Sequence, residues 1–484
     1  MIDPETDRDE TADIGITDGR ITAIGGAEIE ARTELAVSGR VVCPGFVDLH
    51  SHGQDIPEQR LQALDGVTTA LELEAGALPV ALSYDRANAV GRPIHFGYAT
   101  SWVAARMAEV GGFSMSGDVR AVLAHIGEAA WQHPANPEQV TRIVARLEQD
   151  LAAGALGIGV LVGYAPLVDP AEYLAVAHLA ARWGVPTYTH ARELVEANPD
   201  TPIDGAEEIV RAAGETGAHM HWCHINSTSR WHIDRVRTLV ERVRAHGATV
   251  TTEAYPYGAG MTGIGAQFLE PDRLHRWGLQ PSSLVYAPTG ERVADEHRLR
   301  QLRAEDPGGL AILEFLDEQN PAAQICLDRA LTIPEAAVAS DAMPLVWPDG
   351  TEIDPHQWPL VPGAITHPRG AGTFTRTLRT MVRERGVWSL NEAIRRCTLV
   401  PVRIVEAVAP ALRRKGRLQV GCDADLVVLD PDTVTDQATY TDSTRCATGV
   451  DQVLVAGTFV VRDGAIVSAA LPGRPIRGAD ALVG

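Results

Sequence analysis

The sequence predicts an α/β protein built on a (β/α)8 barrel, and two observations carry that prediction. The first is the count of apolar, strand-like runs, which is eight: VVCPGFVDLH, VTTALELE, PIHFGYATSW, ALGIGVLVG, VPTYTHA, HMHWCHIN, ATVTTEAYPY and PEAAVASDA. The second is what separates several of them, stretches such as PEQVTRIVARLEQDLAAG and PAEYLAVAHLAARWG whose apolar residues recur every three or four positions, the helical period. Eight strands with helical crossovers is the barrel's count. A doubly wound sheet would give a similar pattern. No GxGxxG or GxxxxGK[ST] stands at a strand-to-helix turn, however, so a nucleotide-binding sheet is the weaker reading.

The elements outside the barrel follow from texture. Residues 12–46 are short β-rich runs punctuated by Asp-Gly, Gly-Gly and Ser-Gly, which suit hairpins, and LQVGCDADLVVLD and QVLVAGTFVVRDGAIV near the end read alike. A β-rich start and finish flanking an α/β middle predict a small, discontinuous β-sandwich. The expected domains are 1–45 and 401–484 for the sandwich and 46–400 for the barrel. A charged insert at about 258–333 is a lid candidate.

Composition bounds the partners. The 484 residues include 42 Lys plus Arg against 63 Asp plus Glu, a formal charge of −21, which repels nucleic-acid phosphates and anionic lipids. No window approaches the ~18 apolar residues of a membrane span. The start, MIDPETDRDE, lacks the basic and apolar regions of a secretory signal. Six cysteines without CxxC spacing read as reduced, packed thiols. The expected partner is a small-molecule substrate, the expected address the cytoplasm, and a homo-oligomer is compatible with the chain.

The chemistry gathers at strand ends. Asp48, His50 and His52 share one face of the first strand by alternation, and two imidazoles so spaced at a barrel strand's carboxyl end can bind one metal ion. HxH alone would favour a pair of surface histidines at a loop start. Glu72 and Glu74 share the inward face of the second strand, where buried acids are costly unless ionised against a cation. Glu74, nearer the strand end, is the preferred ligand. His190 and His224 end the fifth and sixth runs, and Asp341 follows the eighth; alone, each could be a core histidine or a turn aspartate.

Together these residues make the sequence resemble the amidohydrolase superfamily. PGFVDLHSH, GVTT, THARE, CHINS, EAYPY, ASD and KGRLQVGCDADLVVLD carry the resemblance over nearly the whole chain. Within it the chain looks most like the N-acyl-D-amino-acid deacylase (D-aminoacylase) branch, through GALGIGVLVGYAP, HPRGAGTFTRTL and CTLVP. The resemblance implies a barrel with a terminal β-sandwich, His50, His52, His190 and His224 as metal ligands, and Asp341 as general acid/base. Imidazole with carboxylate suits zinc, as one or two ions, with manganese, iron or cobalt as alternatives.

Two departures from the branch stand out. Its second-strand cysteine ligand is replaced by alanine in Glu74-Ala75-Gly76, where a neighbouring carboxylate, Glu74 or Glu72, could replace the thiolate. Segment 155–164 has no lysine, so the carboxylated-lysine bridge of hydantoinases and dihydroorotases is not expected. The branch's substrate-gripping lysine two residues beyond the sixth-strand histidine is Asn226 here. Arg192, Tyr257 and Arg369 could compensate, or could be structural, and Tyr255 could stabilise an oxyanion. The expected reaction is hydrolysis of a C–N amide bond in a small N-acyl amino-acid-like substrate. Cyclic-amidase or deaminase chemistry, or a barrel that lost its metal, are the alternatives.

Overall fold

Each of the eight apolar runs contains a strand of one parallel sheet in the computed structural model, which describes residues 1–25, 29–347, 351 and 353–479. Parts of the expected terminal segments (26–28 and 480–484) lie outside the described residues, as do 348–350 and 352. The strands are β1 (Phe46–Asp48), β2 (Val67–Ala77), β3 (His95–Ser101), β4 (Ile158–Val160), β5 (Thr187–Thr189), β6 (Met220–Trp222), β7 (Val250–Ala254) and β8 (Ala336–Val338). They lie in chain order across the sheet. An isolated parallel bridge between Ser51 and Ala342 follows β1 and β8. This is the strand order of a (β/α)8 barrel.

The crossovers form for local reasons. Asn136 caps helix Pro137–Ala152 in a reciprocal capping box with Gln139, and Pro137 occupies the first turn, where its missing N–H costs nothing. Asp169 caps helix Pro170–Trp183, which stops at Gly184 in the left-handed region. No helix among the described residues is long and apolar enough to cross a membrane.

The chain divides into two compact units. The first comprises Met1–Leu71, Ala87–Gly97 and Ala337–Ile476. It contains a five-stranded antiparallel sheet in which Val41–Pro44 pairs with Leu426–Leu429, so both ends of the chain build it. A separate hairpin, Asp13–Thr17 with Arg20–Gly25, turns through Asp18-Gly19 with both φ positive, as two-residue hairpin turns require. All six cysteines are free, five of them buried.

The second unit comprises Glu72–Arg86, Tyr98–Ala336 and Arg477–Gly484. Within it the charged insert is a folded layer. Ala259–Gly263, Leu310–Glu314, Leu284–Tyr286 and Glu291–Arg292 form an antiparallel sheet in that order. Leu269, Leu274, Leu284, Leu299 and Leu302 pack a core beneath it. Burying side chains of this size is worth about 1.5–3 kcal/mol each, so the insert has its own apolar stabilisation.

Candidate metal centre

In the first unit the site grows from the end of β1. The Asp48 carboxylate is buried and accepts the N–H of His50 (3.1 Å), the N–H of Ser340 (3.0 Å) and the Ser340 hydroxyl. Burial pushes this acid up to about 6 against those three donors. Beyond it, His50 Nε2 and His52 Nε2 stand 3.1 Å apart. Asp341 Oδ1 lies 3.4 Å from each. Asp341 has φ +53°, a left-handed conformation that non-glycine residues hold at a cost and that turns the chain sharply after β8. Arg369, at the start of helix Arg369–Thr377, places Nη2 2.9 Å from the same Oδ1.

The second unit holds a separate cluster. Glu74 Oε1 is 2.6 Å from His224 Nε2 and 3.3 Å from His190 Nδ1, and the three donors lie within 4.8 Å of one another. Glycines let the backbones close on this cluster. A Cβ on Gly159 would collide with the Glu74 carbonyl, and one on Gly163 with the His190 ring. His224 is itself left-handed, with φ +31°. Its Nδ1 lies 2.8 Å from the Ser227 hydroxyl, which fixes the ring so that Nε2 faces Glu74. Its backbone N–H reaches Glu253 (3.4 Å), whose other oxygen lies 3.1 Å from His221 Nε2. Glu72 accepts the Gly76 N–H (3.3 Å). Over His190 sit Tyr164 and Phe268, with ring centroids 4.7 and 6.0 Å away. Phe268 belongs to the insert.

Both clusters suit a metal ion. Neutral imidazole and carboxylate are zinc's usual nitrogen and oxygen donors, at bonds of about 2.0–2.2 Å. Three atoms separated by 3.1, 3.4 and 3.4 Å all fall within that reach of one point. The His224 ring also has its orientation set by the Ser227 hydroxyl on Nδ1, which leaves Nε2 directed at Glu74.

The expected substrate-binding residues divide. Arg192 is buried with its fork filled: Nε and Nη2 each donate to Glu208 at 2.9 Å, and Nη1 donates to the Pro166 carbonyl at 2.6 Å. Asn226 spans two backbone groups, donating to the Tyr257 carbonyl and accepting the Tyr255 N–H, both at 3.4 Å. Tyr255 and Tyr257 are buried, and the Tyr255 ring lies 6.4 Å from that of His224. Arg369 faces Asp341 as described. The sequence reading did not single out Ser340, Ser227, Tyr164, Phe268 or Arg230. Ser340 and Ser227 lie beside motif residues, in ASD and CHINS, and that adjacency was the available signal.

Arg230, six residues beyond His224, is 6% exposed and left-handed with φ +44°. Its guanidinium lies 4.0 Å over the Trp277 ring and Nη1 donates to the Trp277 carbonyl (2.7 Å). Burial pushes it down to about 10, with Glu193 opposing, so it remains a cation at neutral pH.

Parallel strands in barrel order, with histidines and acids in donor-to-donor reach at their carboxyl ends, define a scaffold of metal-ligating hydrolases. The chain belongs to the amidohydrolase family, matched over residues 37–461. It is 28% identical to N-acyl-D-glutamate deacylase of Alcaligenes xylosoxydans xylosoxydans, over 93% of this chain and 89% of that one. It is equally identical to that organism's N-acyl-D-aspartate deacylase, over 97% and 92%. The fold is that of the crystal structure of N-acyl-D-glutamate deacylase from Bordetella bronchiseptica, which is complexed with zinc and a phosphonate mimic of the tetrahedral intermediate. That match has a TM-score of 0.72 at 24% identity and covers 98% of this chain and 97% of the other.

Proposed function

We propose that this chain is a metal-dependent amidohydrolase that cleaves the C–N amide bond of a small N-acyl amino-acid-like molecule. Residues 46–400 would carry the reaction, in a cytoplasm that keeps the six thiols reduced. The observation that carries the reading is the triangle of His50 Nε2, His52 Nε2 and Asp341 Oδ1, at 3.1 and 3.4 Å, with a guanidinium behind the acid. His50, His52, Glu74, His190 and His224 would hold zinc, as one or two ions. When bound, zinc would supply Lewis acidity toward the amide carbonyl and lower the pKa of the attacking water from about 15.7 towards roughly 7.

The remaining steps belong to the chain's own groups. Asp341 orients the water and accepts its proton; Arg369 Nη2 holds Oδ1 in place for that task. As the C–N bond breaks, Asp341 passes the proton to the departing amine nitrogen. Tyr255 is the proposed donor to the oxyanion of the tetrahedral intermediate. Tyr164 and Phe268 exclude water on the His190 side. The two relatives named for N-acylated D-amino acids support that substrate class.

The test is a screen of N-acyl D- and L-amino acids, dipeptides and hydantoins with zinc-loaded protein. Release of a carboxylic acid and a free amine is the expected result. Release of ammonia would put a deaminase in its place, and no turnover of any amide by metal-loaded protein would overturn the proposal.

A further inference from the structure

Arg230 is a buried cation whose nearest acid, Glu193, acts on it only from beyond ion-pair distance. Among the described residues no carboxylate lies in salt-bridge range of it, and its Nε has no hydrogen-bond partner. Burying a guanidinium this way is unfavourable unless an anion completes the site. The surroundings accentuate the excess of positive charge. Both oxygens of the nearby Glu193 are taken, one by Trp277 Nε1 (2.7 Å) and the other by Asn198 Nδ2 (2.7 Å). Arg273 stands 3.8 Å from Glu193, and Arg276 donates to Asn198 (3.1 Å). Glu193 thus meets Arg273 directly and Arg276 through Asn198, in a chain whose net charge is −21.

The position ties this charge to the candidate centre. Arg230 follows β6 on the segment that begins at His224. Trp277, beneath its guanidinium, meets Phe268 at 6.2 Å between centroids, and Phe268 stacks on His190. The strained φ of Arg230 is the kind of backbone cost that persists where a side chain must be aimed. Arg192, on the same unit, is filled by Glu208, and the Asn226 amide carries no charge.

We propose that Arg230 recognises the carboxylate of the N-acyl amino-acid substrate, an inference that rests on the hydrolase reading above. A substrate carboxylate would provide the missing counter-charge and accept from the guanidinium in a charge-assisted bond, with Trp277 holding the cation flat. Arg230 is then a specificity-determining residue and takes no part in proton transfer.

The experiment compares N-acetyl-D-leucine with N-acetyl-D-leucinamide on the zinc-loaded full chain, for wild type, Arg230→Met and Arg230→Lys. In Arg230→Met, kcat/KM for the acid should fall roughly 10- to 100-fold, mainly through KM. The carboxamide should suffer much less, so the acid-to-amide ratio collapses, and Arg230→Lys should recover part of it. Equal losses on both substrates would overturn the assignment, since a purely structural arginine predicts them. Should Arg230→Met fail to fold, Arg230→Gln takes its place. Calorimetric binding of N-acetyl-D-leucine to zinc-loaded Asp341→Asn protein, with and without the Arg230 change, reads the inference without turnover. Binding at least tenfold weaker supports it; equal affinity, or none in either protein, overturns it. A binding difference without hydrolysis by wild type would sink the hydrolase reading alone.

Discussion

Asp341 and Asp425 are made of the same parts, and the proposed function gives them opposite tasks. Each is a buried acid of the first unit, facing histidine and a cation. Asp425 takes His95 Nε2 at 3.1 Å, Lys415 Nζ at 2.5 Å and the Ala456 N–H at 2.7 Å. His95 in turn accepts the Arg474 N–H on Nδ1 (3.0 Å), so every group is satisfied. Burial raises Asp425, yet Lys415 and His95 outweigh it and hold the acid well below the usual carboxylate range. Asp341 sits instead on a left-handed residue, with two imidazole nitrogens at 3.4 Å, beyond good hydrogen-bond length, and one guanidinium. A closed network is a latch. Under the proposed function, the acid beside the two imidazoles is the group that would move a proton.

That contrast can be broken by substitution. Asp341→Asn should leave zinc bound and the melting temperature nearly unchanged while kcat falls about 10²–10⁴-fold. Metal analysis and a melt alongside kinetics check it. Asp425→Asn should do the reverse, costing about 3–5 kcal/mol of stability in a urea titration while the folded fraction keeps its turnover. A sharper form uses pH. Because the folded pKa of Asp425 lies well below that of an ordinary aspartate, its stabilisation is complete above about pH 4 and is lost as pH falls below that. Wild type should therefore lose stability faster than Asp425→Asn on acidification from pH 4. Arg369→Met, removing the cation beside Asp341, should lower kcat by roughly 10- to 100-fold with partial rescue by lysine. Ser227→Ala, which frees the His224 ring, is the smallest: about tenfold weaker zinc binding by competition with a chelator.

The sequence disclosed strands and strand-end chemistry because both depend on local period. Alternation put Glu72 and Glu74 on one face and left the choice open; in the structure Glu74 joins His190 and His224, while Glu72 takes the Gly76 N–H. What was hidden depends on distant partners. Arg192 could be a substrate cation or a structural one until Glu208 and the Pro166 carbonyl are seen to fill its fork. The insert read as a charged lid because its sheet pairs Ala259–Gly263 with Leu310–Glu314, segments too far apart for periodicity to connect. Arg230 was invisible for the same reason: its cage, Trp277, lies on that insert.

The central claim is that zinc held by the strand-end histidines and Glu74 drives amide hydrolysis. Protein stripped by a chelator and assayed on N-acyl amino acids should be inactive and regain full turnover in proportion to zinc added back, saturating at one or two equivalents. Undiminished hydrolysis by the stripped protein would contradict it.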